Sequence, residues 1–317
     1  MKAVFVIVFL SISSILINAQ SCIQDTEFIK SCTIESGVFK PDMKIGFLED
    51  CIKETYRQSK LFYYDSIPAE ITKRYYEDNG LPQSQLKDLI LTITGIENLP
   101  YRTKRPLTFL IADGNDGNRY RYYLSSTSDT LNPSASNEWC VYLVEEHERF
   151  SKLIGQTIYG KQNLWSEKTE DGEYKTVWGV KYSPLKVTGI IPWRGTFSGA
   201  YYIRFKPEDS EKEYYRYCEN SEEFFNSIFT FCDPKDSFED IKKKDWEAIQ
   251  SGLPEAGMSK DMLTLTMGEP DNVSTHQTNK ETHELWYYKN VAGRSYRILL
   301  SKDKVESISS SERSRWY

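Results

Sequence analysis

The apolar segment near the start of the sequence decides in which compartment the rest of the chain must fold. Met1-Lys2-Ala3 is a short basic start, the run from Val4 to Ile17 is almost wholly apolar, and the small residue Ala19 follows. This layout is typical of a secretory signal peptide, so we predict that residues 1–19 are removed. A retained membrane anchor is the alternative, although the run of 14 residues is shorter than the ~20 that span a bilayer as a helix.

No later segment is long and apolar enough to span a membrane, so the mature chain is expected to contain no transmembrane span. The protein is therefore expected to be exported, to the periplasm, the outer-membrane periphery or the extracellular space. With 40 Lys and Arg against 46 Asp and Glu, the chain has a net charge of −6. Binding to nucleic acid requires a basic face, and we therefore expect no nucleic-acid partner.

All six cysteines follow the predicted cleavage site, and an even number in an exported chain favours disulfides. Pairing the cysteines that are nearest in sequence gives Cys22/Cys32, Cys218/Cys232 and Cys51/Cys140, one of about 15 possible connectivities. Zinc is an alternative, but it needs closely spaced cysteine pairs or neighbouring histidines, and neither occurs. Lipidation of Cys22 is another alternative, although the preceding Ala-Gln-Ser is a poor match to the usual Leu-small-small run.

The fold class predicted from the sequence is α+β, with three regions after the signal peptide. Residues 20–148 form an N-terminal α+β region: apolar positions between Lys44 and Phe62 have helical spacing. In the same region, the turn sequence Asp113–Asn118 separates two β-rich runs and indicates a hairpin.

Residues 149–235 have a different pattern, in which short strand-like runs alternate with turn signals. This spacing is typical of a small antiparallel barrel or curled sheet, so we predict a small all-β module that resembles a barrel. The predicted strands are Gln156–Tyr159, Thr176–Tyr182, Leu185–Pro192, Ala200–Phe205 and Glu213–Tyr217.

Residues 236–317 show the clearest local signals. We predict a helix over Phe238–Gln250 and a second over Lys260–Met267, which Ser259 caps and Gly268 ends. Three strands with short connections follow, at Glu284–Lys289, Arg294–Ser301 and Lys304–Ser309.

This C-terminal region resembles the BamE (small protein A) family of outer-membrane assembly lipoproteins, and the β-lactamase inhibitory protein is built from a related unit. The residues that carry the resemblance are Trp246, Gly257, Met258, Gly268, Pro270, Trp286 and Tyr288. The resemblance implies two short helices packed on a three-stranded antiparallel sheet. It also implies a role in binding another envelope protein, although one fold hosts many functions.

The sequence contains no recognisable catalytic constellation. The three histidines are His147, His276 and His283; His147 lies among glutamates and is expected on a solvated helix face. No nucleophile elbow and no glycine-rich phosphate loop occurs. The segment Asp113–Gly117 has some features of a calcium loop, but it lacks the terminal Glu ligand and a turn is favoured. We therefore predict no catalytic residues, no cofactor and no metal.

The best candidate for a recognition surface is an aromatic cluster beside Gly195 and Gly199. Its members are Trp193, Phe197, Tyr201 and Tyr202. Side chains alternate along a strand, so one of the two tyrosines is expected to be exposed. The predicted function is that of an exported, non-catalytic envelope protein in protein binding or scaffolding. A secreted carbohydrate-binding or inhibitor-like module is the alternative, and a secreted hydrolase is a third possibility.

Overall fold

Strands dominate the structure, and the predicted α+β class is wrong. Strands make up 49% of the described residues and helices 20%, in three antiparallel sheets. The computed structural model describes residues 39–48, 61–66, 80–99, 107–125, 141–193, 200–219, 221–277, 282–291 and 294–312. The predicted signal peptide, Cys22, Cys32, Cys51 and Cys140 lie outside these residues.

The first sheet has six antiparallel strands in the order β2-β5-β4-β3-β1-β6. Its strands are β1 Lys44–Phe47, β2 Leu61–Tyr63, β3 Ile90–Leu99, β4 Leu107–Gly114, β5 Arg119–Ser125 and β6 Val141–Leu143. Short 3-10 turns occupy Tyr64–Ser66 and Gln83–Leu86. The hairpin predicted at Asp113–Asn118 is confirmed, because β4 and β5 pair on either side of it.

The described part of the segment Lys44–Phe62 corrects the helix predicted there. Residues Lys44–Phe47 form β1, which pairs with β3 on one side and β6 on the other. The ring of Tyr142 in β6 lies 2.6 Å from the place where a β-carbon on Gly46 would be. Gly46 therefore allows a close approach between β1 and β6 that a larger residue would prevent.

The second sheet has seven antiparallel strands in the order β13-β7-β10-β11-β12-β8-β9. Its strands are β7 Thr157–Gly160, β8 Leu164–Lys168, β9 Tyr174–Trp178, β10 Pro184–Pro192, β11 Tyr201–Pro207, β12 Tyr214–Cys218 and β13 Phe229–Thr230. The prediction of a barrel-like module is wrong in one respect, because the sheet does not close. It is a half-barrel, and β13 and β9 remain as its two separate edges.

Two helices cover one face of the second sheet. They are α1 Val144–Ser151 and α2 Glu222–Ile228. Phe150 from α1 and Phe225 from α2 belong to the same buried cluster as Ile203 and Phe205 of β11. This face is therefore the core side of the sheet. Helix α1 also contacts β1 of the first sheet.

The C-terminal region is not two helices on a three-stranded sheet. Three helices, α3 Pro234–Ser237, α4 Lys243–Ser251 and α5 Lys260–Met267, precede strands β14 Asn272–Gln277, β15 Thr282–Val291, β16 Arg294–Ser301 and β17 Lys304–Glu312. These strands form a four-stranded sheet, the third sheet, because Asn272–Gln277 adds an unpredicted strand to the edge of β15. Helix α5 has the predicted bounds, and Ser259 caps it as predicted.

The two buried side chains of helix α4 do not pack on the third sheet, where the resemblance implied that they would lie. These side chains, Trp246 and Ile249, share a buried cluster with Tyr182, which precedes β10 of the second sheet. Helix α5, by contrast, contributes Leu263 to the core of the third sheet. The two helices also contact each other. Ala248 of α4 packs against the core of the third sheet, and Met262 of α5 packs against both clusters, so the helix pair joins the two sheets.

Buried polar side chains fix the junction between the second sheet and helices α4 and α5. The Asn163 side-chain amide donates hydrogen bonds to the main-chain oxygens of Gly179, at 2.8 Å, and Gln250, at 3.0 Å. Lys181 donates from Nζ to the oxygens of Leu265, at 2.6 Å, and Thr266, at 2.9 Å. A cation at the C-terminal end of a helix is favourable because the carbonyl groups there carry partial negative charge.

The described cysteines correct one predicted disulfide. Cys218 is a free thiol that is completely buried in β12, whereas Cys232 is disulfide-bonded. These two cysteines are therefore not bonded to each other.

Candidate functional site

The face of the second sheet opposite α1 and α2 is rich in aromatic side chains, and we call it the open face. Side chains alternate between the two faces of a strand. Tyr201 and Ile203 of β11 point into the core, so Tyr202 and Arg204 lie on the open face. Described helices reach this face only at its borders, where Phe224 of α2 lies edge-on to Tyr217 and Ser251 of α4 lies beside Trp178.

Four aromatic rings form a continuous row across the open face. Tyr174 stacks on Tyr202, with ring centroids 4.0 Å apart and ring planes at 14°. Tyr217, the cross-strand neighbour of Tyr202, lies edge-on to it at 6.0 Å. Trp193 lies edge-on to Tyr217 at 5.3 Å. All four side chains are partly buried, so the row is ordered by its own contacts and still reaches solvent.

The stacking of Tyr174 on Tyr202 shows that the open face is concave. Tyr174 is in β9 and Tyr202 is in β11, and two strands, β12 and β8, separate them in the sheet. Three strand steps in a flat sheet would separate the rings by about 14 Å. The observed 4.0 Å therefore requires the β8–β9 hairpin to curl over the open face. Tyr215 lies beneath the curl, edge-on to Tyr174 at 5.2 Å.

A charged group borders the aromatic row. Arg204 donates a hydrogen bond to the main-chain oxygen of Thr188 at 3.1 Å, and its Nε lies 3.5 Å from Glu213 Oε1. The Thr188 hydroxyl donates to the same carboxylate oxygen at 2.9 Å. Gly189 is opposite Arg204 in the sheet, and its missing side chain leaves space for the guanidinium, 2.8 Å from where a β-carbon would be.

Two tyrosine hydroxyls of the row, those of Tyr202 and Tyr217, are kept protonated. Burial raises the pKa of Tyr202, and the carboxylate of Glu173 raises it further. Burial also raises the pKa of Tyr217, with Glu219 adding to the effect. Both phenols therefore remain neutral and can donate as well as accept a hydrogen bond.

Exposed apolar side chains extend the open face to the edge strand. Leu164 of β8 and Trp178 of β9 are cross-strand neighbours and are 40% and 46% exposed. The indole N–H of Trp178 donates to the main-chain oxygen of Ser251 at 3.1 Å, which fixes the ring. Clustered exposed apolar side chains are typical of interaction surfaces.

The structure places the four predicted surface residues differently. Trp193 and Tyr202 belong to the aromatic row, whereas Tyr201 is 1% exposed and Phe197 lies outside the described residues. The sequence reasoning missed Tyr174, Tyr215 and Tyr217. Alternation in the predicted strand Glu213–Tyr217 could have indicated Tyr215 and Tyr217. No local signal indicates Tyr174, because the curl of the sheet brings it there.

Tyr201 and His147 lie together on the core side. The Tyr201 ring stacks on Phe150 at 4.6 Å, and the His147 ring lies between Tyr142, at 5.1 Å, and Tyr201, at 6.3 Å. Burial raises the pKa of Tyr201, and the charge of Glu146 adds to the effect. Burial lowers the pKa of His147. The solvated position expected for His147 is therefore wrong.

The residues that carry the C-terminal resemblance lie in the core or at the ends and turns of the chain's elements. Trp246, Met258, Trp286 and Tyr288 are buried. Gly257 and Gly268 have positive φ angles of 90° and 83°, and Gly268 ends α5 just before Pro270. Comparisons with protein-family models, curated proteins and solved structures gave no match to this chain. The resemblance to the BamE family therefore stays a prediction.

Three further findings concern the described residues. No described group of three or more His, Cys, Asp and Glu side chains is arranged to hold a metal ion. At the Asp113–Asn118 turn, Asp116 accepts hydrogen bonds from Asn118 and Tyr120, so its carboxylate is used to hold the hairpin. None of the described helices combines the length and the apolar character needed to cross a membrane.

Proposed function

We propose that this chain is an exported, non-catalytic protein of the cell envelope that binds another protein through the open face. The observation that carries the proposal is the row Trp193–Tyr217–Tyr202–Tyr174 on a concave face without a described helix over its centre. Tyr, Trp and Arg are the residues that contribute most to binding energy at protein interfaces. Rigid rings bind with a low loss of side-chain entropy.

The packing of the rings favours a protein over a sugar as the ligand. A sugar stacks on a free ring face, but Tyr174 covers one face of Tyr202 and Tyr217 lies edge-on to the ring. The row also offers ring edges and hydroxyl groups. These can contact apolar side chains and donate hydrogen bonds to main-chain oxygens. Arg204 and Glu213 at the border add charged groups that can fix the orientation of a bound protein.

Photo-cross-linking in the cells that make the chain tests this surface. Benzoylphenylalanine replaces Trp193 in one variant and Tyr217 in another, because an aromatic replacement preserves the row. Ile154, which is 48% exposed after α1, provides the matched control site away from the open face. We expect adducts of one shared mass from Trp193 and Tyr217 and none of that mass from Ile154. Equal adducts from all three sites would contradict the proposal.

The adduct partner, once purified, gives the second arm of the test. Tyr202→Ala is expected to weaken its binding about 30-fold, which is the effect of removing a residue worth about 2 kcal/mol at an interface. Lys175→Ala alters an exposed residue of β9 that alternation places on the other side of the strand, and this variant is expected to bind as the unchanged protein does. Unaltered binding by Tyr202→Ala would exclude the open face. Quenching of Trp fluorescence by a neutral polysaccharide, without any protein adduct, would instead support the carbohydrate-binding alternative.

Export is tested separately from binding. Mass spectrometry of the mature protein is expected to find Gln20 as its first residue, because cleavage after Ala19 fits the signal-peptide pattern. Recovery of the chain with residues 1–19 still attached in the cytoplasmic fraction would show that the proposed location is wrong.

A further inference from the structure

A second surface feature lies on the third sheet, away from the open face. A groove of about 740 Å³ runs over the side of this sheet that faces away from helix α5. One cross-strand row crosses its floor, because Asn272 pairs with Tyr287, Tyr287 with Arg297 and Arg297 with Ser309. The neighbours Trp286 and Ile298 point the other way, into the core. The groove therefore has a polar floor on a rigid sheet.

Two cationic side chains line the groove although the whole chain is acidic. Lys289 and Arg297 line it and are exposed. Within the described part of the chain, no carboxylate forms an ion pair with either side chain. The net charge of the chain is −6, so a polyanion is repelled by the molecule as a whole. The nearby Asp271 carboxylate accepts a hydrogen bond from the main-chain N–H of Lys289 at 2.6 Å. Two cationic side chains without an ion-pair partner are the place where an anionic group of a ligand would be attracted.

The remaining groups of the groove are mostly hydroxyls. The serines that line it are Ser274, Ser295, Ser309, Ser310 and Ser311. Each hydroxyl can donate one hydrogen bond and accept two, and that of Ser309 already donates to the main-chain oxygen of Arg297 at 3.4 Å. Inorganic anions and the carboxylates of an acidic peptide only accept hydrogen bonds, so they use only the donor part of this capacity. A ligand with many hydroxyl groups of its own matches it fully.

Tyr287 adds a flat apolar surface to the groove. It is partly buried, and among the described residues no aromatic ring packs against it. In this respect Tyr287 differs from Tyr202, which is covered by Tyr174. An aromatic ring that no other described ring covers, placed between a cation and an amide, Arg297 and Asn272, fits the apolar side of a sugar ring whose substituents reach those two groups.

We propose that this groove binds an anionic polysaccharide, that is, a chain of sugar rings that carry carboxylate or sulfate groups. Arg297 and Lys289 bind the anionic groups, the serines and Asn272 bind the hydroxyls, and Tyr287 packs against a ring. This site is separate from the open face, so the test of this proposal is independent of the test of the proposed protein binding.

Binding of defined polysaccharides to the full chain tests the site. The probes are polygalacturonate, which carries carboxylates, dextran sulfate, which carries sulfates, and neutral dextran. We expect at least one anionic probe to bind, to bind more weakly as salt is added because exposed charges are screened, and to outcompete neutral dextran. Which of the two anionic probes binds more tightly identifies the anionic group.

Three variants assign the binding to the groove. The double variant Lys289→Gln/Arg297→Gln is expected to weaken binding about tenfold or more. Its matched control is Lys243→Gln/Lys244→Gln, which removes the same charge from exposed lysines of α4 and is expected to change affinity less than about twofold. Tyr287→Leu, which keeps the charge, is expected to weaken binding of the sugar probes.

Three results would overturn the proposal. The first is equal loss of affinity in the two double variants, which would mean attraction by overall charge alone. The second is undiminished binding by Tyr287→Leu. The third is equally tight binding of polyglutamate with the same dependence on Lys289 and Arg297, which would mean an acidic peptide as the ligand. All variants alter partly or fully exposed side chains, and circular dichroism verifies that each one is folded.

Discussion

The side-chain oxygen of Asn163 occupies the space in which a β-carbon on Gly252 would lie. Gly252 ends helix α4 with a left-handed φ of 71°, and Asn163 uses its amide to bind Gln250 of the same helix. Gly252→Ala is therefore expected to displace Asn163 as well as to strain the backbone. We expect it to lower the free energy of unfolding by about 2–4 kcal/mol, from backbone strain together with lost buried hydrogen bonds. Urea denaturation measures the change.

Gly257→Ala is the matched control for this change. Gly257 also has a positive φ, 90°, but a β-carbon there meets no atom within 4 Å. Only the backbone strain of about 1–2 kcal/mol is expected. Equal losses from the two substitutions would show that Asn163 adjusts freely.

Lys181 is expected to give the stability a characteristic pH dependence. Burial lowers its pKa from 10.5 to about 8. Between these values the unfolded chain binds a proton that the folded chain does not, so stability rises with pH in this window. Relative to Lys181→Met, the unchanged protein is expected to gain up to about 3 kcal/mol across the window.

Urea denaturation of both proteins at the two ends of the window measures this difference. Lys243→Met removes an exposed lysine of α4 and serves as the control, for which no comparable difference from the unchanged protein is expected. A constant difference between the unchanged protein and Lys181→Met would show that Lys181 stays protonated in the folded state.

The Tyr174–Tyr202 stack is expected to hold the β8–β9 hairpin in its curled position. Tyr174→Ala removes the ring and should lower the free energy of unfolding by more than the about 0.5–1.5 kcal/mol of the ring pair itself, because the buried area of the ring is lost too. Hydrogen exchange is expected to become faster in β9. Tyr174→Phe keeps the stack and should behave like the unchanged protein; if it loses as much stability as Tyr174→Ala, the hydroxyl and not the ring is what matters.

Cys218 is expected to be chemically inert in the folded protein. Burial raises the pKa of its thiol to about 12, and only the thiolate reacts with maleimides. Peptide mapping after treatment with maleimide should find Cys218 unmodified in the native protein and modified in concentrated guanidinium chloride. Rapid modification under native conditions would show that β12 opens locally.

Local signals in the sequence predicted the elements that depend on few neighbours. Helix α5 has its cap at Ser259 and its stop at Gly268, and the structure confirms both ends. The hairpin at Asp113–Asn118 likewise depends on its own turn residues. The helix predicted from Lys44 is wrong because helical spacing of apolar residues also fits a strand that is buried between two partners. The contact of Gly46 with Tyr142 joins residues that are far apart in sequence, so no local pattern could predict it.

The candidate site was only partly predictable for the same reason. Trp193 and Tyr202 are close in sequence, so an aromatic cluster was visible there. Tyr201 and Tyr202 could be assigned to opposite faces by alternation, but which of them is buried depends on where α1 packs. Tyr174 joins the row only through the curl of the whole sheet.

The hydrogen bonds from Lys181 to the end of α5 also determine which truncated variants of this chain can keep an intact second sheet. A truncation that removes residues 236–317 takes away both carbonyl partners of a buried ammonium group and strips Trp246 from Tyr182. The truncated protein would keep the Tyr182 ring, now exposed, and the Lys181 ammonium group without its hydrogen-bond acceptors. A truncation in this region therefore also removes side chains that pack at the border of the second sheet. If truncation abolishes a binding activity, the full-length Lys181→Met protein is the better comparison, because it loses the buried cation and keeps residues 236–317.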